Sequence, residues 1–214
     1  RWLRPGEVAV LGAESSVGKT AWAECVAEHM AREGFRVVFF HLELSHTTML
    51  NRRLSRHSGV PITELERGAY PPAAVEANRR IGQWAHNMTY VHCPGWTIER
   101  ITSLAESMSA QGRCDVMVLD YLTKVRPSPY TYRMSRNDQL AEQVEAIKSL
   151  VERRSMFALV LSQVNRASAN ETIKTGNALR ASGEIEEKAN LVMLLDRRLL
   201  KHDEVIGGKR YEAG

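Results

Sequence analysis

The sequence predicts an α/β domain whose mainly parallel sheet carries helices on both faces, and three features of its 214 residues predict it. Short continuous apolar runs alternate with stretches of helical periodicity, the pattern of strands covered on both faces and joined by crossover helices. The stretch Glu7-Val8-Ala9-Val10-Leu11-Gly12-Ala13-Glu14-Ser15-Ser16-Val17-Gly18-Lys19-Thr20 passes from such a strand through a small-residue turn into a helix, the order of a phosphate-binding loop. Further apolar runs deliver Glu43, Asp120 and Gln163, polar groups at the carboxyl ends where open parallel sheets hold their ligands.

The elements follow in order. The apolar run after Glu7 is the first strand, and Trp22, Cys25, Val26, His29 and Met30 recur at helical spacing until Gly34 stops them. Val37 to Leu42 is a second buried strand. Thr47 to His57 reads as a helix with Leu50 and Leu54 turned inward, and Pro61 to Gly68 as a short helical turn. Pro71-Pro72 opens a helix with Val75, Asn78, Ile81 and Trp84 in register. Met88 to His92 is a strand, Pro94-Gly95 a turn, and Thr97 an N-cap for Ile98, Ile101, Leu104 and Met108. Val116 to Asp120 is a strand, and Asn137 to Arg153 a long helix built on Leu140, Val144, Ile147 and Val151. Phe157 to Leu161 and Leu191 to Leu195 complete the sheet. Thr123 to Arg136 and Gln163 to Gly183 read as long loops, which in compact domains are usually functional.

Composition bounds the class. A hydrophobic fraction of 43% and a charged fraction of 25% are ordinary for a globular chain, and no apolar run approaches the ~20 residues of a membrane span. Cys25, Cys93 and Cys114 lie far apart without a C-x-x-C pair, which argues against a zinc or disulfide framework and suits a reducing cytoplasm. The net charge of +4 permits a nucleic-acid partner without demonstrating one. The missing initiator Met and the ending at Gly214 suggest a piece of a longer protein, read as a single domain over residues 1–214.

The chemistry follows from residue types. Ala13, Ser15, Ser16, Val17, Gly18, Lys19 and Thr20 form the phosphate loop, whose backbone N–H groups and helix N-terminus face a polyphosphate. Lys19 reaches the β- and γ-phosphates, and the Thr20 hydroxyl holds Mg²⁺. The usual G-x-x-x-x-G-K-[ST] pattern asks for Gly where Ala13 stands, and Gly12 comes one residue early. Asp120 suits a carboxylate that holds Mg²⁺ through water, Glu43 one that polarises the attacking water, and Gln163 an amide that senses the γ-phosphate. Glu43 also reads as a cap for the helix beginning near Ser45.

These residues resemble the C-terminal motor domain of DnaB-type replicative DNA helicases, a branch of the RecA-like P-loop ATPases, over nearly the whole chain. That family commonly has Ala at the position of Ala13. Phe39-Phe40-His41-Leu42-Glu43-Leu44-Ser45 is similar to its F-F-S-L-E-M-S segment, whose Glu is the catalytic base. Arg52 falls where the family has a nucleotide-contacting Arg. Pro94-Gly95, Asp120-Tyr121-Leu122 and Leu161-Ser162-Gln163-Val164-Asn165-Arg166 resemble its P-G, D-Y-L and L-S-Q-L-N-R segments. Leu179 to Glu186 resembles its L-R-E-S-G-x-I-E motif, which holds the single-stranded DNA backbone in a hexamer's channel. The resemblance thereby nominates Arg180, Ala181 and Gly183, with Ala181 replacing the family's Glu. The family's K-x-R arginine finger is matched only loosely by Lys209-Arg210, with Arg210 as the candidate.

Lys124, Arg126, Arg133 and Arg136, interleaved with Tyr130 and Tyr132, form a second candidate surface for single-stranded DNA, although such charges are also common on solvated loops. The resemblance implies an ATP- and Mg²⁺-dependent helicase motor in a homohexamer that moves 5′ to 3′ on single-stranded DNA. It places the protein in the cytoplasm of a bacterium, as a host or phage product, with no membrane partner. The family's N-terminal domain and linker are absent from this chain, and primase and a helicase loader are candidate partners whose identity the sequence leaves open. A RecA-like recombinase or clock-type ATPase that assembles without unwinding, and a non-catalytic nucleotide-dependent assembly module, remain alternatives.

Overall fold

A computed structural model describes residues 4–163, 187–196, 204–206 and 209–211. The elements are β1 (Val8–Ala13), α1 (Lys19–Arg32), β2 (Val37–His41), α2 (His46–Ser58), α3 (Ile62–Glu66), α4 (Pro72–Gly82), β3 (Met88–His92), α5 (Ile98–Ala110), β4 (Val116–Asp120), α6 (Arg136–Arg154), β5 (Phe157–Gln163) and β6 (Leu191–Leu194). A short antiparallel pair, β7 (Glu204–Ile206) and β8 (Lys209–Tyr211), follows. The main sheet has six strands in the order β3-β2-β4-β5-β1-β6, and every pairing is parallel.

The period of two along each strand separates two cores. Val8, Val10, Val38, Phe40, Met117, Leu119 and Val160 face α5 and α6, where Ile101, Ala105, Val144, Ile147 and Val151 cover them. Ala9, Leu11, Phe39, Val118, Leu159 and Leu161 face α1, where Ala23, Ala27 and Ala31 close the other side. The sheet is therefore buried on both faces, which is why its strands read as continuous apolar runs. Among the described residues no helix is long and apolar enough to cross a membrane.

The helices bury faces offset from the apolar stripes that the sequence shows. On α1 the fully buried apolar positions are Ala23, Ala27 and Ala31, which face the sheet, while Trp22, Val26 and Met30 of the helical stripe pack half-buried beside them. Cys25 and His29 are exposed. Trp22, Val26 and Met30 also border an apolar groove of about 620 Å³ with Phe35 and Met193. On α4 the buried positions are Ala74, Ala77 and Ile81, one residue off the expected Val75 and Asn78, and Val75 is 60% exposed. On α2 the buried residues are Met49 and Asn51, with Leu50 and Leu54 half-buried. The loop before α6 holds a 3₁₀ turn at Leu122–Lys124 and a parallel bridge from Thr97 to Arg126. Gln163, expected to open the second loop, is the last residue of β5, and Val164 to Gly183 lie outside the described residues.

Candidate nucleotide site

Parallel registration brings the expected residues to one edge. Ala13 at the end of β1 stands opposite Gln163 at the end of β5, and His41 at the end of β2 stands between Asp120 on β4 and His92 on β3. The loop leaves β1 at Ala13 and enters α1 through Gly18, whose φ of 111° lies in the left-handed region. A Cβ on Gly18 meets nothing within 4 Å, so the backbone angle, not space within the chain, calls for glycine. Ser16 also has positive φ, and Ser15, Ser16 and Gly18 are exposed along the open side of the turn. The first turn of α1 points its free N–H groups into this concavity.

Lys19 is buried and donates from Nζ to the Ala13 carbonyl at 3.1 Å, so its ammonium lies across the mouth of the loop. The Tyr121 ring lies 5.5 Å from that nitrogen, and the Asp120–Tyr121 peptide is cis. Burial holds the Lys19 pKa below its ordinary value, against the pull of Asp120 and Glu43. The Thr20 hydroxyl donates to Asp120 Oδ2 at 2.7 Å. Burial raises the Asp120 pKa, opposed by the Thr20 hydrogen bond and by Lys19. The other oxygen, Asp120 Oδ1, is buried and has no hydrogen-bond partner among the described residues.

That orphaned oxygen beside a hydroxyl is the fit test for Mg²⁺. A buried acceptor with no donor is costly unless water or a cation completes it. Thr20 and Asp120 are hard oxygen donors that suit Mg²⁺, which takes one or two protein groups and fills its remaining positions with water and phosphate. Among the described residues no group of three or more His, Cys, Asp or Glu side chains is placed to hold a metal ion.

Glu43 lies just past β2 with its carboxylate 55% exposed and 3.9 Å from Lys124 Nζ. An exposed ion pair of that length contributes little, so Glu43 is free to meet a ligand. Arg52 on α2 is exposed and near enough to pull down the Asp120 pKa. The structure thus brings Lys19, Thr20, Glu43, Arg52, Asp120 and Gln163 to one rim. It places Lys124 there too, 3.9 Å from Glu43 and 5.9 Å from the Tyr121 ring. Arg126 lies further along, donating its backbone N–H to the Trp96 carbonyl, and Arg133 packs on Tyr132 and donates to its hydroxyl. Tyr130 is 87% exposed and Tyr132 57%. Arg180, Ala181 and Gly183 lie outside the described residues, as does the Arg210 side chain, whose backbone forms part of β8.

Sequence reasoning missed three groups here. Trp96 carries Arg100 over its ring at 3.9 Å, next to Arg126, and extends the aromatic and cationic surface. Glu24 and Glu28, four apart on α1, are buried and bind Arg56 of α2, with His57 on Glu28 at 2.7 Å and the Tyr90 hydroxyl on Glu24 at 3.1 Å. Their i,i+4 spacing was visible, but solvated glutamates have the same spacing. Buried His41, inside the Phe39-to-Ser45 segment, binds the Leu44 carbonyl through Nδ1 at 2.8 Å.

A family model described as the DnaB-like helicase C terminal domain matches residues 2–211. The chain is 29% identical over 195 residues to the replicative DNA helicase DnaB of Treponema pallidum, covering 89% of this chain and 44% of that protein. It is 25% identical over 201 residues to a probable plasmid replicative DNA helicase of Chlamydia muridarum, again covering 44% of the relative. The chain therefore spans less than half the length of these relatives. In fold it is similar to a solved ATPase domain, with a TM-score of 0.81 at 21% identity, covering 91% of this chain and 71% of that one. It is also similar to a DnaB-like replicative helicase solved in a study of its interactions with primase, with a TM-score of 0.80 at 20% identity over 91% and 48% of the two chains.

Proposed function

From a chain that belongs to the DnaB-like helicase C-terminal domain family, we propose the ATP-hydrolysing motor domain of a replicative DNA helicase. The observation that carries this reading is the cluster of Lys19, Thr20 and Asp120 at the mouth of the phosphate loop, with Asp120 Oδ1 buried and unpaired. Lys19 exchanges the Ala13 carbonyl for the β- and γ-phosphates of ATP, which restore the charge that burial opposes. The loop N–H groups between Ser15 and Thr20 hold the phosphates in place. Thr20 and Asp120 are the residues that would hold Mg²⁺, which when bound would neutralise phosphate charge. Glu43 orients the attacking water and accepts its proton, and Arg52 contacts the nucleotide. Gln163, level with Ala13 across β1 and β5, hydrogen-bonds the γ-phosphate and passes its loss into the segment that follows.

The finer parts of the proposal rest on the family. Six copies form a ring with ATP at each subunit interface, and Arg210 reaches the neighbour's nucleotide. Arg180, Ala181 and Gly183 hold single-stranded DNA in the channel, and the ring moves 5′ to 3′ in a bacterial cytoplasm. The exposed tyrosines with Arg126 and Arg133 support a second contact with unpaired bases, since aromatic faces and guanidinium groups stack on bases of any sequence. The primase named with one structural neighbour supports primase as a partner, and a loader is the other partner proposed. The test is ATP turnover and fork unwinding by the full-length protein and its Lys19→Ala variant. Loss of both activities in the variant is expected. Wild-type ATP turnover by Lys19→Ala overturns the assigned site, and hydrolysis without unwinding overturns the helicase.

A further inference from the structure

The turn that carries Glu43 is short and anchored at both ends. On its strand side the backbone is fixed at both edges: the Leu42 N–H donates to the Asp120 carbonyl at 3.0 Å, and the His41 carbonyl accepts from the Cys93 N–H at 3.0 Å. On its helix side Ser45 caps α2, accepting from the Thr48 N–H at 3.1 Å. Leu42, Glu43 and Leu44 between these anchors belong to no helix or strand. Among the described residues, the side-chain hydrogen bond that ties this turn together is the one between His41 Nδ1 and the Leu44 carbonyl, 2.8 Å long and reaching across Glu43.

The chemistry of that contact fixes the tautomer. A carbonyl oxygen only accepts, so Nδ1 carries the proton and Nε2 is the bare nitrogen. Nε2 is buried and has no hydrogen-bond partner among the described residues, and the residue is 1% exposed. The His92 ring of β3 stacks on His41 at 5.0 Å with an 18° interplanar angle, and the His46 ring of α2 lies 6.3 Å away at 28°. The Tyr90 ring of β3 meets His41 edge-on at 6.0 Å. A ring packed on three sides, with one nitrogen left unsatisfied, is expensive as a filler. Among the described residues, the ring's one hydrogen bond is with the turn.

We infer that His41 is a positioning residue for ATP hydrolysis: its Nδ1–H, clamped on the Leu44 carbonyl by the stacked rings of His92 and His46, holds the turn that aims Glu43. The inference rests on the reading of Glu43 as the base that orients water. Leu42 is buried in one core and Leu44 packs against the other, so the turn is held on either side of Glu43, whose carboxylate is 55% exposed. An ångström of misplacement at a catalytic group can lower turnover about a hundredfold.

Two amide substitutions separate this role from space filling. The Asn side-chain nitrogen takes the place of Nδ1 and keeps the donor to Leu44, whereas the Gln nitrogen takes the place of Nε2 and loses it. In the full-length protein, His41→Asn is expected to keep kcat within about threefold of wild type, and His41→Gln to lower it roughly 10- to 100-fold. Both should leave KM for ATP and the affinity for a fluorescent ATP analogue within about twofold, because the phosphate loop is untouched. The ratio of the two kcat values carries the result even if both variants melt earlier than wild type. Equal kcat for His41→Asn and His41→Gln, whether high or low, overturns the inference. Glu43→Gln, measured in parallel, distinguishes the two failures. If it halts turnover while His41→Gln does not slow it, the positioning role falls alone. If it turns over at the wild-type rate, the assignment of the base falls, and the positioning role with it.

Discussion

Replacing Arg56 by Leu tests how α2, which carries Arg52 and follows Glu43, is fastened to the helix that begins at the phosphate loop. Arg56 binds Glu24 at 3.1 Å and also pairs with Glu28, and the two carboxylate side chains are only 1% and 4% exposed. Removing the guanidinium strands both acids. Breaking a buried pair costs about 3–5 kcal/mol, and the lower end applies because the Tyr90 hydroxyl and His57 stay as partners. At about 3 kcal/mol, a domain of this size loses roughly 6–12 °C in Tm.

The loss depends on pH with a definite sign. Burial raises the Glu24 pKa above its ordinary value, and Arg56 opposes that rise. The folded state therefore holds this proton to higher pH than the unfolded chain. The stability it contributes is complete below the unfolded carboxylate pKa and is lost as pH rises through the folded pKa. Without Arg56 the folded pKa climbs further, so the variant loses more on the alkaline side of that window. Urea denaturation at about pH 5 and about pH 7.5 should show the smaller destabilisation at the lower pH. A Tm unchanged within about 2 °C, or a destabilisation larger at acid pH, refutes the description of this cluster.

Three further outcomes follow from the site. Thr20→Ala removes the donor to Asp120 Oδ2 and should weaken Mg²⁺-dependent ATP binding, read by titrating a fluorescent nucleotide with and without Mg²⁺, whereas Thr20→Ser should retain it. Gly18→Ala forces a side chain into the left-handed region at φ 111°, which costs about 1–2 kcal/mol and should lower Tm while raising KM for ATP. Tyr132→Ala should weaken binding of a fluorescent oligothymidylate by about 1–3 kcal/mol if the ring stacks on a base, with ATP turnover in the absence of DNA unchanged.

The sheet and the phosphate loop were legible in the sequence because their signals are local. A parallel strand buried on both faces must be apolar throughout, so Val37 to His41, Val116 to Asp120 and Phe157 to Leu161 stand out without help from distant residues. The polar residue ending each run marks the rim for the same reason. Helix faces were harder to read. The Ala23, Ala27 and Ala31 stripe that packs α1 on the sheet carries little hydrophobic weight beside Trp22 and Met30, yet small residues allow the closest approach. The offset on α4 has the same origin, with Ala74 and Ala77 buried and Val75 exposed.

Contacts between elements were not legible at all. Pairing of Glu24 and Glu28 with Arg56 requires α1 and α2 to be side by side, and the stacking of His41 on His92 requires β2 and β3 to be neighbours. The partnership of Thr20 with Asp120 lies between these cases. Each residue was singled out by its own motif, and the crossover of the chain supplied the 2.7 Å bond between them.

The most direct test of the central claim is the steady-state ATPase rate of the full-length protein, measured with and without single-stranded DNA. Mg²⁺-dependent hydrolysis that single-stranded DNA accelerates and that Lys19→Ala abolishes is the expected result. No hydrolysis under either condition contradicts it and leaves a nucleotide-dependent assembly module in place of a motor.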